Sequence, residues 1–181
     1  MKILVVVDMQ KDFVDGALGS KEAESIVPNV VEKIKTFDGY FAVTYDTHQA
    51  NYLETQEGKN LPVSHCIDQS EGWKLVDEVY QALNKRYEND APMHYFLKPT
   101  FGSVGLAEWI RDTNNREQVD EVVLVGLCTD ICVISNAMLI KAFVPEVKIT
   151  VDTSCCAGVT PESHANALAA MKMCQINIEN C

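Results

Sequence analysis

The sequence predicts an α/β fold in which helices cover both faces of a parallel sheet. Two observations carry this. Short continuous apolar runs, such as "KILVVVD" (Lys2–Asp8) and "DEVVLVGL" (Asp120–Leu127), read as strands buried on both faces. Between them lie segments whose apolar residues recur at helical spacing, and strands alternating with helices mean parallel crossovers. A third observation bears on function: several strand ends carry ionisable groups, and ligands of such sheets bind beyond the carboxyl ends of the strands.

Taken in order, Lys2–Asp8 is the first strand and ends in an acid. "SIVPNVVEKIKTF" (Ser25–Phe37) has helical spacing, and "GYFAVTYD" (Gly39–Asp46) is a second strand ending in Asp. Thr47 to Ser70 is polar and aperiodic. A structureless stretch of that length is usually functional or disordered. Helical spacing resumes over Gly72–Leu83, followed by a third strand, "HYFLK" (His94–Lys98), and a helix over Ser103–Asp112. Asp120–Leu127 is the fourth strand, Asp130–Phe143 a helix and Glu146–Asp152 the fifth strand. Thr160 as N-cap and Pro161 at the first helical position open a helix to Met173. "QINIE" ends the chain's regular elements as a short sixth strand.

The 181 residues suit one compact domain, 1–181, and 47% hydrophobic with 23% charged residues is ordinary for a globular chain. No apolar run approaches the roughly 20 residues of a membrane helix. Met1 leads straight into a strand, without the basic and apolar regions of a secretory leader, so a cytoplasmic location is expected. A net charge of -11 argues against nucleic acid, since phosphate binding needs a basic face. The seven cysteines, at 66, 128, 132, 155, 156, 174 and 181, are then expected to be reduced and mostly packing residues. The sequence leaves the oligomeric state open, a homo-oligomer included.

Two cysteines stand out in "VGLCTDICVISNA" (Val125–Ala137). With Thr129 or Asp130 as N-cap, Cys132 falls in the first turn of a helix, where free N–H groups favour a thiolate. Cys128 lies before the helix as a neighbour. A zinc pair lacks a second pair of ligands nearby. A nucleophile needs a base and an electrostatic partner, and Asp8 and Lys98 at strand ends offer both.

These segments resemble the isochorismatase-like cysteine hydrolases, the superfamily that includes nicotinamidases. "VVDMQKDF" (Val6–Phe13) is similar to the D-x-Q-x-D-F opening, "KPTFGS" (Lys98–Ser103) to the catalytic-lysine segment and "GLCTDICV" (Gly126–Val133) to the nucleophile turn. The resemblance implies a three-layer, Rossmann-like fold with sheet order 3-2-1-4-5-6. It implies Asp8 as base, Lys98 as polarising cation and Cys132 as nucleophile. It also implies a cis peptide at Leu127–Cys128 and an oxyanion hole from the N–H groups of Cys128 and Cys132. Phe13 and Tyr52 are candidates to line a ring pocket.

The loop after the second strand holds Asp46, His48 and His65, an Asp-x-His pair with a distal His, similar to the metal site of nicotinamidases. That site's commonest third ligand is a His, and none lies between His48 and His65. A carboxylate must substitute, Glu57 by position, with Glu54 second. Two imidazoles and two carboxylates suit zinc, with manganese or iron as alternatives, and no organic cofactor is implied. "IDQSEGW" after Cys66 departs from the run expected in nicotinamidases and leaves the substrate between nicotinamide and another small amide, N-carbamoyl compounds first. A non-enzymatic alternative is a redox sensor using Cys132, with Cys128 as resolving thiol.

Overall fold

The computed structural model describes residues 1–180. Six parallel strands form one sheet: β1 (Lys2–Val7), β2 (Tyr40–Asp46), β3 (Met93–Lys98), β4 (Glu121–Leu127), β5 (Lys148–Ala157) and β6 (Asn177–Glu179). Their order is β3-β2-β1-β4-β5-β6, as the resemblance implies. β1 is central, with Val5 in register with Ala42 of β2 on one side and Leu124 of β4 on the other.

The apolar run of β1 is continuous because both faces are covered. Ile3, Val5 and Val7 join one buried cluster, while Leu4 and Val6 join another on the opposite face. The helices are α1 (Lys11–Val14), α2 (Lys21–Thr36), α3 (Gln56–Asn60), α4 (Asp77–Glu88), α5 (Val104–Arg116), α6 (Ile134–Phe143) and α7 (Pro161–Met173). Ile26, Val30 and Ile34 of α2, at helical spacing, pack with Val79 and Leu83 of α4 in the cluster of Leu4. Ile110 of α5, Ile140 of α6 and Met171 of α7 belong to the cluster of Val5. The α7 entry carries a capping box between Thr160 and Ser163, as its sequence predicts.

Among the differences from expectation, three have identifiable reasons. The helix expected from Gly72 begins at Asp77, because Gly72 and Lys74 carbonyls accept from Asp12 and Lys11 N–H groups, and Leu75 bridges Gln10. That backbone forms a turn held against α1 and a bridge at Leu75. β5 runs on to Ala157, since a register shift lets Cys156 and Ala157 pair with Gly126 and Leu127. The aperiodic loop contains a 3-10 turn at Tyr52–Glu54 and the short α3, capped by Thr55.

Gly126 is required where it stands. Its φ is +114, and a Cβ there would lie 2.1 Å from the Val7 carbonyl. β1 and β4 can therefore run together up to the point where Asp8 and the 128–133 turn diverge.

An ion pair at the opposite end of the sheet gives a pH-dependent contribution. Burial would raise the Glu121 carboxyl, but Lys148, Thr150 and Lys2 hold it down to about 2. Lys148 Nζ is 2.7 Å and Lys2 Nζ 3.0 Å away. A depressed acid stabilises the fold above its unfolded value and loses that contribution as pH falls toward 2. Glu121→Gln is expected to cost about 1 kcal/mol at pH 7, the lysines being half exposed, and the gap to wild type should narrow below about pH 4 and close near pH 2. Urea melts at both pH values check this; a gap unchanged with pH would refute it.

Candidate active site

The strand order reverses at β1, whose neighbours β2 and β4 leave in opposite directions, and a crevice opens there. Asp8, directly after β1, enters it with a positive φ of 47, a conformation that Asp tolerates. Lys98 ends β3, and Cys132 lies in the turn after β4. All three are buried.

Lys98 joins them. Its Nζ lies 2.7 Å from Asp8 Oδ2 and donates to Cys132 Sγ at 3.4 Å and to Asp46 Oδ1 at 3.2 Å. Asp8 Oδ1 accepts from Thr44 Oγ1 at 2.6 Å, while Oδ2 has no partner beyond the Lys98 ion pair. Oδ2 is thus the oxygen with room for a proton. Burial pushes the Asp8 carboxyl up, against the pull of Lys98. Burial, then the Asp8 charge, pushes the Cys132 thiol well up, with Lys98 opposing. Burial would lower Lys98, but Asp8, Cys132 and Asp46 raise it, so it stays cationic. Passing a proton from thiol to Asp8 leaves the net charge of the group unchanged, and a buried site favours that over creating charge.

The turn carrying Cys132 is wider than an α-helix. Thr129–Val133 forms a π-helical turn, and the Cys128 carbonyl accepts from both Ile131 and Val133 N–H groups at 3.0 Å. The expected N-caps do other work. Thr129 Oγ1 meets His164 Nδ1 at 2.8 Å, and Asp130 accepts from the Val159 N–H, so Cys128 holds the N-cap position. The Leu127–Cys128 peptide is cis. Asn136, fully buried, donates to the Cys132 carbonyl at 2.8 Å and to the Phe101 carbonyl, and accepts from Ser103 N–H. It ties the Cys132 turn to the segment after Lys98.

A second group adjoins the first. One ligand atom each from Asp46, His48, Glu57 and His65 lies within 4.8 Å of the others. His48 Nε2 is 2.9 Å from Asp46 Oδ2 and 3.5 Å from Glu57 Oε1; His65 Nε2 is 3.5 Å from Asp46 Oδ2. His48 Nε2 is buried without a hydrogen bond. His65 Nδ1 donates to the Val63 carbonyl at 2.8 Å, which turns Nε2 toward the carboxylates. Burial would raise Asp46, but His48, His65 and Lys98 hold it well below the usual range. An orphaned imidazole nitrogen, a second imidazole aimed at the same point and two carboxylates fit a divalent cation. Glu54 is exposed and outside the group; the turn into α3 brings Glu57 inward instead.

The D-x-Q-x-D opening organises both groups. Gln10 Nε2 donates to the Asp46 carbonyl at 2.9 Å, and its Oε1 accepts from Asp46 N–H at 2.8 Å. Asp12 Oδ2 accepts from Cys66 N–H at 2.7 Å, beside His65. Gln10, Thr44 and Asn136 are contributions that sequence reasoning missed. Gln10 could have been found from the opening motif; Thr44 and Asn136 carry no spacing signal.

Both groups open into one cavity of 430 Å³, lined by Asp46, Glu57 and His65 on one side and Cys128 and Cys132 on another. Phe13 lines it, 5.4 Å from the His65 ring. Tyr52 does not: it packs behind the histidines, 4.6 Å from the His48 ring, and donates to the Leu61 carbonyl. A wider, more open groove of 700 Å³ between α1, α2 and α4 contains none of these groups.

Sheet order, switch-point crevice and a buried acid, amine and thiol define a class: an α/β protein arranged for chemistry at the carboxyl edge of its sheet. The chain belongs to the isochorismatase domain family, whose pattern matches residues 2–179. It is similar to the nicotinamidase of Escherichia coli, 28% identical, covering 95% of this chain and 90% of that one. The crystal structure of nicotinamidase/pyrazinamidase from Bacillus subtilis superposes with a TM-score of 0.84 at 25% identity over 99% of both chains. A pyrazinamidase of Pyrococcus horikoshii in complex with zinc gives 0.78 at 26% identity, again over 99% of both. Among the described residues no helix is long and apolar enough to cross a membrane.

Proposed function

We propose that the protein hydrolyses a small aromatic carboxamide, nicotinamide first, to the acid and ammonia through a thioester on Cys132. The observation that carries this is the shared cavity, lined by the Cys132 thiol and by Asp46, Glu57 and His65 of the four-residue group, so that one small molecule there would meet both. Relatives named nicotinamidase and pyrazinamidase support the substrate class. The four residues would hold a divalent metal, zinc by the precedent of the Pyrococcus protein. Bound there, it supplies a Lewis-acid contact for a ring nitrogen or a water.

The chain's own residues account for the proton traffic. Cys132 Sγ attacks the carboxamide carbon as its proton passes to Asp8 Oδ2. The N–H groups of Cys128 and Cys132 receive the oxyanion. When the C–N bond breaks, Asp8 returns the proton to the leaving amine, releasing ammonia and leaving the thioester. Water then attacks the thioester carbon and gives a proton to Asp8. The C–S bond breaks, the acid leaves and the proton returns to sulfur. Lys98 stays protonated throughout and holds the acid and the sulfur in place.

A redox sensor is disfavoured by the same geometry. Sensor thiols are exposed and of low pKa, whereas Cys132 is buried and its thiol is pushed up. Burial and Asp130 push Cys128 up to about 12. The free thiols of the described cysteines fit a reducing, cytoplasmic setting.

Ammonia release from nicotinamide and from an N-carbamoyl amine, with zinc or manganese supplied, tests the substrate. The expected result is a kcat/KM for nicotinamide at least about 100-fold higher. A preference for the carbamoyl compound would replace this reading with the rival amide class.

A further inference from the structure

β3 is an outer strand of the sheet, and its free edge is unusually unprotected. Phe41 N–H donates to the Pro92 carbonyl and Thr47 N–H to the Lys98 carbonyl. In a parallel ladder the bonds to one neighbour come from alternate residues, so 92, 94, 96 and 98 turn toward β2. Met93, Tyr95 and Leu97 therefore direct their N–H and C=O groups outward. Natural edges are blunted by charges, prolines or bulges. Here Pro92 and Pro99 bracket the strand, but nothing interrupts it, and Met93–Leu97 holds no acid in a chain of net charge -11.

The side chains on this edge are apolar too. Met93, Tyr95 and Leu97 alternate onto one face of the sheet, and Tyr95 is 53% and Leu97 59% exposed. On α4, Tyr80 and Tyr87 are 58% and 61% exposed and lie near enough to Tyr95 to affect its phenol. Four large apolar or aromatic side chains thus surround a row of open backbone donors and acceptors.

We propose that this edge pairs with the same edge of a second copy, antiparallel about a two-fold axis at Tyr95, to form one continuous sheet through the dimer. The open backbone groups specify a strand as occupant, and their spacing is self-complementary. With Tyr95 opposite its own copy, Met93 faces the partner's Leu97 and Leu97 the partner's Met93. Each of these pairs exchanges two N–H···O=C bonds, using every outward group. The side chains then form an apolar ladder of Met–Leu, Tyr–Tyr and Leu–Met contacts. The local absence of acid lets two strongly anionic chains meet here.

Sedimentation velocity over about 1–100 µM chain, with Tyr95→Lys and Tyr95→Pro, tests it. Lysine sets a charge at the axis; proline deletes only an outward N–H and leaves the bonds to β2 intact. The expected result is a wild-type dimer, with the dissociation constant raised at least about tenfold in both variants and circular dichroism unchanged. Hydrogen exchange at residues 93, 95 and 97 should slow as wild-type concentration rises. A monomeric wild type throughout the range, or a dimer equally stable in both variants, would overturn the proposal.

Discussion

Cys132→Ala lowers amide turnover by about 10⁴-fold or more, while the protein keeps its fold. Removing the sulfur removes the atom that attacks the carbonyl carbon. Asp8 and Lys98 remain ion-paired, so the loss is chemical and not structural. The change deletes a single atom from a side chain at the cavity wall, and circular dichroism should match wild type. Cys128→Ala sets the comparison. Its thiol makes no hydrogen bond to the acid or the amine, and its expected role uses only its backbone N–H. That variant should keep turnover within about tenfold of wild type. Wild-type rates in folded Cys132→Ala would remove the nucleophile assigned here.

Lys98→Met has the second large effect, and it falls on stability as well as on rate. Lys98 is the cation shared by Asp8 and Asp46, both buried. A similar-sized apolar side chain leaves two carboxylates without it, and breaking a buried pair in this way costs about 3–5 kcal/mol. For a chain of this size, roughly a 10 °C fall in the melting temperature is expected. Turnover should fall by about 10³-fold or more, because Asp8 is pushed further toward its protonated form and can no longer take the thiol proton. Thermal melts and ammonia release, both with metal present, measure the two effects. A variant that melts like wild type would show that the charge is not needed to bury the carboxylates.

The three groups of the proposed chemistry were readable in the chain because each sits at an end that hydrophobic patterning marks. Asp8, Lys98 and Cys132 follow continuous apolar runs, and a parallel sheet sends such ends to one edge. The strand order needed the family resemblance, since alternation alone does not say which strand lies beside which. Position in the loop favours Glu57 over Glu54, but no periodicity separates the two. α3 has five residues, too few for a period to show, and the Thr55 cap sets which glutamate turns inward. The start of α4 was obscured for a related reason: Gly72–Leu75 is spaced like a helix but is held by backbone bonds to α1. Thr44 and Asn136 were invisible because a buried hydroxyl or amide declares itself only through its partners, here Asp8 and the Cys132 carbonyl. As a sequence, Tyr52 is a ring-pocket candidate that reads equally well as a core aromatic. The structure puts it behind the imidazoles, where its ring packs against both and its hydroxyl holds Leu61.

The proposed hydrolysis passes through a covalent acyl group on Cys132. Intact-mass spectrometry of the metal-supplied enzyme, quenched in acid during steady turnover of nicotinamide, tests it most directly. The result expected is a fraction of chains heavier by one nicotinoyl group, mapped by peptide analysis to Cys132, sensitive to hydroxylamine and missing from Cys132→Ala. Sustained ammonia release with the acyl group found on another residue would contradict it.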